Sequence, residues 1–326
     1  MTTISADTAS TTTHTWIWRG FPIRYQTQGT TGLCPPPRSH GSAWKPASSA
    51  PGEYRPAVVM VHGFGASCAH WRKNLPVLGT ACRCYAIDLI GFGGSAKPTP
   101  GVDIDYTFAT WGEQIADFCQ EVVGDRVFLV GNSIGCIALM QTAVDYPELA
   151  YGVVLIDCSL RLLHERRRHQ LSWHQRFGAP ILQNMLAVKW IGQLFFNQIA
   201  QPQVVRKILL QAYMRPEAVT DELVDLLMAP ARDTGAVDVF VAFTRYSTGP
   251  LPEDLLAELK CPALILWGTE DPWEPVDLGR QLAEFPAVEK FIPLAGVGHC
   301  PQDEAPALVN PILLDWIEKL QGKNQN

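Results

Sequence analysis

The chain has 326 residues, of which 47% are hydrophobic and 18% charged, and its formal net charge is −6. That size admits one large domain or two modest ones around a sizeable core. An acidic balance with no long run of one sign argues against a nucleic-acid partner, which needs a basic face.

Residues 1–13 are dominated by Thr, Ser and Ala and lack both a basic start and an apolar stretch. They predict a flexible N-terminus and no secretory signal. No apolar run is long enough to span a bilayer, so a cytoplasmic protein is expected, with peripheral contact at a membrane surface left open. Residues 14–28 read as two short strands joined by the turn Arg19-Gly20-Phe21-Pro22. Residues 29–54 are rich in Pro, Ser, Gly and Ala and predict a mobile surface loop. From residue 57 onward short apolar runs recur at 57–61, 82–87, 126–130, 152–156, 263–267 and 290–294. Each has the length of a strand and is apolar throughout, as strands covered on both faces are. Helical patterns lie between them at 107–122, 134–146 and 305–320, the first with Phe108, Trp111, Ile115, Phe118 and Val122 on one stripe. The expected fold class is α/β, a mostly parallel central sheet flanked by helices. The largely helical stretch 160–246 predicts a cap inserted into a core formed by 14–159 and 247–326. Nine cysteines, at 34, 68, 82, 84, 119, 136, 158, 261 and 300, are scattered and include no CxxC. Free thiols are expected, with no metal and no cofactor.

The strongest local signal is Gly131-Asn132-Ser133-Ile134-Gly135, directly after the run 126–130 and before a helical pattern. A sharp strand-to-helix turn crowds the backbone, and glycines on either side of the serine relieve it. The hydroxyl then stands over a helix N-terminus, where negative charge is favoured. A chance Gly-Ser turn is the plain alternative, and the strand–turn–helix context speaks against it. A serine hydroxyl needs a base, held by a third group. His299, after the last apolar run, is the candidate base, in preference to the other histidines. Asp271, after 263–267, is the candidate acid, and Asp157, after 152–156, is its rival. The order Ser, Asp, His favours Asp271. The N–H of Ile134 and that of Phe64, in His62-Gly63-Phe64-Gly65, are the candidate oxyanion donors. Gly91-Phe92-Gly93-Gly94-Ser95-Ala96 fits a dinucleotide pattern, but Pro98 and Pro100 follow it and leave no helix to receive a pyrophosphate. A structural turn is expected there.

Together His62–Gly65, the segment Asp88 to Ser95, the turn at Ser133, Asp271 and His299 resemble the α/β-hydrolase superfamily, over nearly all of 56–320. A narrower likeness joins Glu270-Asp271-Pro272-Trp273 and Gly298-His299-Cys300-Pro301-Gln302-Asp303-Glu304 to cyanobacterial and plastid hydrolases of the pheophytinase and chlorophyll dephytylase type. The chain departs from that type at Cys136, where a second glycine would continue the turn. The likeness implies a carboxylic ester with a bulky, apolar, phytyl-type alcohol.

Within the cap, 178–200 is strongly apolar, including Ile181, Leu182, Met185, Leu186, Trp190, Leu194 and Phe195. Such a helix packs on the core or walls a greasy site. Asn132, Trp190, Leu194, Phe195 and Trp273 are the candidate substrate contacts. The cationic cluster Arg161, His164, Arg166, Arg167, Arg168 and His169 reads as a solvated face or a contact for anionic headgroups. The leading expectation is hydrolysis of a small-molecule or lipid-like ester through an acyl-serine. A carbon–carbon bond hydrolase or a cofactor-free perhydrolase could use the same three residues. A non-catalytic ligand-binding protein of the same fold would not need all three.

Overall fold

The computed structural model describes residues 11–30, 55–170 and 188–324. The readings for 1–10, for the proline-rich 31–54 and for Ile181, Leu182, Met185 and Leu186 lie outside the described residues.

Eight strands form one sheet in the order β1-β2-β4-β3-β5-β6-β7-β8. They are β1 (Thr12–Trp18), β2 (Phe21–Gln28), β3 (Ala57–Val61), β4 (Arg83–Ile87), β5 (Val127–Asn132), β6 (Ala150–Ile156), β7 (Ala263–Gly268) and β8 (Val288–Leu294). β1 and β2 pair antiparallel, β2 joins β4 antiparallel, and every other pairing is parallel. The sequence dictates this through the two-residue strand period. Val59 and Val61 of β3, with Leu129 of β5 and Val153 of β6, enter one core. Val58, Met60, Val130 and Val154 enter the core on the opposite face. Both faces are covered, so the central strands are apolar at every position. β8 departs from the expected pattern. It lies at the sheet edge with Glu289 and Lys290 exposed, since an edge strand has a neighbour on one side only.

The first face is covered by α1 (Phe108–Phe118) and α2 (Ile134–Asp145), whose buried side chains include Phe108, Trp111, Ile115, Ile137 and Met140. Thr107 caps α1 by accepting from the Thr110 N–H at 3.2 Å. The pattern expected over 107–122 is thus one α-helix that widens into a π-turn at Cys119–Val123 and stops at Gly124, φ 67°. The other face is covered by α8 (Pro306–Asn324) through Val309, Leu313, Trp316 and Ile317.

Between β6 and β7 lie α3 (Lys189–Ile199), α4 (Pro202–Ala212), α5 (Asp221–Ala231), α6 (Ala236–Arg245) and α7 (Pro252–Glu258). The two ends of this insertion are stapled together. Arg161 donates to the carbonyls of Pro250 at 2.6 Å, Thr248 at 2.6 Å and Tyr246 at 3.1 Å. His164 bonds the Gly249 carbonyl at 2.9 Å. Arg166 and Arg167 pair with Asp254 and Glu253. These residues of the cationic cluster therefore hold the insertion shut, and their cations are partnered rather than presented to anionic headgroups. No helix among the described residues is long and apolar enough to cross a membrane.

The sheet order places β3 between β4 and β5, so the chain runs from β3 to one side and then crosses back over it to the other. A crevice opens at the carboxyl ends of parallel strands where the order switches. The loops after β3, β4, β5, β7 and β8 border one cavity there.

Candidate active site

The segment after β5 turns sharply into α2. Ser133 holds φ 55° and ψ −122°, a conformation that costs a non-glycine residue strain. Neighbouring bonds over-determine it. The Ser133 N–H donates to the Ile156 carbonyl at 3.0 Å, and its own carbonyl accepts from Cys136 at 3.1 Å and Ser159 at 3.2 Å. The flanking glycines are required by closeness. A Cβ on Gly135 would stand 2.6 Å from the carbonyl oxygens of both Val61 and His62, and one on Gly131 would stand 2.8 Å from the Cys136 nitrogen. A glycine at position 136 is not needed: the Cys136 side chain is buried and its Sγ donates to the Gly131 carbonyl at 3.1 Å.

Asp271, after β7, and His299, after β8, meet through a bond of 2.6 Å between Oδ2 and Nδ1. The other oxygen of Asp271 accepts from the Trp273 N–H at 2.8 Å and the Glu274 N–H at 3.1 Å. Carbonyl Ala212 of α4 accepts from the His299 N–H at 2.8 Å. Asn132 donates to the His299 carbonyl at 3.1 Å and to the Ile156 carbonyl at 3.2 Å. Asn132 is thus a strut between the serine turn and the histidine loop, and it also borders the cavity described below. The string Gln302-Asp303-Glu304 is also structural. Glu304 accepts from the Gly298 N–H and the Arg215 N–H, each at 2.8 Å, and so ties the histidine loop to the insertion.

The loop after β3 is set by His62, which is fully buried. Its Nε2 accepts from the Leu89 N–H at 3.1 Å, so the proton sits on Nδ1 and is donated to the Gly63 carbonyl at 2.7 Å. Burial holds this imidazole below its ordinary pKa, which keeps it neutral. The expected turn at 91–96 is present. Asp88 accepts from the Gly94 N–H at 2.7 Å and the Cys68 N–H at 2.5 Å, while Ser95 donates back to the Asp88 carbonyl at 2.9 Å. Among the described residues, the N–H groups of Phe64 and Ile134 donate to no protein acceptor.

Phe64, Asn132, Ser133, Trp273, Glu274 and His299 all border one cavity of about 390 Å³. Its remaining walls are mostly apolar and come from Phe92, from Phe196 and Ile199 of α3, from Ile208, Leu209 and Ala212 of α4, and from Val239 and Phe240 of α6. The structure does not bring Trp190, Leu194 or Phe195 into this wall. Trp190 is 69% exposed and Leu194 55%. Successive helix residues are rotated by about 100°, so positions two apart point nearly oppositely. Phe196 and Ile199 take the inner stripe, which turns Trp190 and Leu194 outward.

Two polar wall residues were absent from the sequence reading as site members. His70 is one of the histidines passed over in favour of His299. It is 6% exposed, and its Nε2 meets the Tyr213 hydroxyl at 2.8 Å. That hydroxyl donates to Asp303 at 3.0 Å, whose other oxygen faces Arg72 at 2.7 Å. The Tyr213 oxygen therefore accepts from His70 Nε2–H, leaving Nδ1 without a proton. Burial pushes the His70 imidazole down to about 4. No local pattern marks His70, because its partner Tyr213 lies 143 residues away.

Glu274 is the second. Burial raises its carboxyl to about 7, although the Leu160 N–H donates to it at 3.0 Å. A group raised on folding stabilises the fold fully below its unfolded pKa, and that contribution is lost as pH rises through the folded value. For Glu274 the window runs from about 4.5 to about 7. Glu274→Gln keeps the acceptor and removes the charge. It should change denaturant stability little at pH 4.5 and raise it relative to the parent by on the order of 3 kcal/mol at pH 8.5. Equal effects at both pH values would show that Glu274 titrates normally.

Comparison with known proteins agrees with this architecture. The chain is 25% identical over 300 residues to the chloroplastic pheophytinase of Arabidopsis thaliana, covering 82% of this chain and 62% of that one, so it spans less than two thirds of that relative's length. It is 27% identical over 274 residues to a 2-hydroxy-6-oxononadienedioate/2-hydroxy-6-oxononatrienedioate hydrolase of a Pseudomonas species, covering 80% of this chain and 88% of that one. A haloalkane dehalogenase variant from Bradyrhizobium elkanii superposes with a TM-score of 0.71 at 19% identity, over 98% of this chain and 100% of the other, which is a likeness of fold. Residues 58–312 match the alpha/beta hydrolase family, and the chain belongs to that family.

Proposed function

We propose that the chain is a serine hydrolase that cleaves a carboxylic ester with a large apolar group through an acyl-serine intermediate. The observation that carries this reading is the 2.6 Å bond from Asp271 to His299 Nδ1, beside a strained serine on the same cavity wall. With Nδ1–H given to Asp271, Nε2 is left to take the Ser133 proton as the hydroxyl attacks the ester carbonyl. The imidazolium returns that proton to the departing alcohol, and water then repeats the cycle on the acyl-serine. The N–H groups of Phe64 and Ile134 receive the developing oxyanion, and removal of one such donor typically costs about 3–4 kcal/mol. A fluorophosphonate probe tests the assignment directly. It should attach to Ser133 alone, and attachment elsewhere or nowhere would refute it.

The cavity chemistry supports an ester over the dioate substrate named for the Pseudomonas relative. Among the described residues, the only Lys or Arg on the wall is Lys97, and its ammonium is held by Asp233 at 2.7 Å and the Gly93 carbonyl at 2.8 Å. Two carboxylates would enter such a site without free cations. A phytyl-type alcohol is the extreme case of the apolar class that the wall suits, and pheophytinase is a relative. Each buried methylene contributes about 0.8 kcal/mol, so four more carbons could gain about two orders of magnitude in kcat/KM. p-Nitrophenyl octanoate should therefore exceed the butanoate, measured below micelle formation. Ile208→Ser, on the wall, should flatten that ratio, and Trp190→Ala, off it, should not. A flat ratio in the parent protein would leave the general hydrolase reading and remove the apolar-substrate one.

A further inference from the structure

Asp157 closes β6 in the left-handed region, φ 43°, and its side chain is fully buried. Oδ1 accepts from the Gly268 N–H at 2.9 Å. Oδ2 is buried and meets no N–H or O–H donor among the described residues. A carboxyl oxygen of Asp157, one of Asp271 and a ring nitrogen of His299 all lie within 4.8 Å of one another. The titratable groups acting on Asp157 are Asp271 and the Cys136 thiol, with Cys300 and His299 close by, and no Lys or Arg is among them. Two dry carboxyls this close, with no cation between them, cannot both ionise. Asp271 is the better anion. It accepts from His299, Trp273 and Glu274, whereas Asp157 accepts from Gly268 alone.

We propose that Asp157 is a positioning residue, a neutral carboxylic acid whose O–H donates to the Asp271 carboxylate and holds it in place for His299. The inference rests on the triad reading above. Burial first, and the Asp271 charge second, push the Asp157 carboxyl well above the usual carboxylate range. The donated proton gives Asp271 a further hydrogen bond between two side chains shielded from solvent and fixes the direction in which it meets the imidazole. The orphaned Oδ2 is thereby satisfied as a donor.

Infrared difference spectra of the parent protein and Asp157→Asn at pH 8 read the protonation state without reference to catalysis. The carbonyl stretch of a protonated carboxyl should be present in the parent and lost in the variant. Asparagine can still accept from Gly268 and donate to Asp271, so it should retain most of the activity that Asp157→Val loses, the latter by about 10- to 100-fold in kcat with KM little changed. The acid limb of kcat/KM, which follows His299, should stay in place in Asp157→Asn, because one neutral group replaces another. An ionised Asp157 would give no lost carboxyl band, and its removal would move that limb down by about 1–3 units. That result, or equal activity in the Val and Asn variants, overturns the proposal. If Asp157→Val does not fold, as circular dichroism would show, the infrared band and the acid limb of Asp157→Asn still decide. Failure of the triad reading shows separately, as absence of fluorophosphonate on Ser133.

Discussion

Ser133→Ala should yield a folded protein whose kcat is lower by a factor on the order of 10⁶. In the proposed mechanism the size of the loss follows from the serine acting as one unit with its base: without the hydroxyl, Asp271 and His299 have nothing to activate. Some catalysis over water, on the order of 10³–10⁴, should survive from the oxyanion donors and from binding. Stability should hold, for a stated reason. The Ser133 side chain does not cap α2, and the bonds that fix the turn run through its backbone N–H and carbonyl. Alanine meets the same strain at φ 55° that serine already bears. Matching thermal unfolding of the two proteins with a collapsed kcat is the expected pair of results. Full ester turnover by the alanine variant would remove Ser133 from the chemistry.

Asp271→Asn comes second in size, with kcat expected to fall by about 10⁴ while the fold persists. The orientation of the asparagine is forced. Oδ1 of Asp271 accepts from both the Trp273 and Glu274 N–H groups, so the asparagine oxygen takes that side and its amide NH₂ faces His299. An amide donor opposite Nδ1 drives the imidazole proton to Nε2, the nitrogen that accepts from the serine in the proposed mechanism. The variant thus holds the wrong tautomer as well as lacking the charge that steadies the imidazolium. Asp157→Asn should cost far less, because in the proposed arrangement Asp157 bonds Asp271 rather than His299. A larger loss at Asp157 than at Asp271 would transfer the acid role to β6.

Several features were legible residue by residue. The run 57–61 is the strand β3, and α2 starts at the residue after Ser133. Both signals are local. A strand covered on two faces must be apolar at every position, and a strained turn between strand and helix must carry glycines where a side chain would strike the backbone. The sheet, its mostly parallel pairing and the helical insertion follow from such signals in chain order. The same logic overreached where a local pattern has two readings. An apolar segment in α3 identified the helix that borders the cavity, but Phe196 and Ile199 line it, while Trp190 and Leu194 face outward.

What the sequence by itself determined, then, was the set of elements and the order of Ser133, Asp271 and His299 along them, because strand and helix periods are written within a few residues. Tertiary structure alone decided which groups share a wall and which protons they hold. Asn132 reaches His299 across 167 positions, His70 reaches Tyr213 across 143, and Gly268 reaches Asp157 across 111. Burial along the cavity wall raises Glu274 and lowers His70, since a charge is costly only where water has been excluded. Water is excluded by neighbours that arrive from other elements, and no spacing along the chain records their arrival.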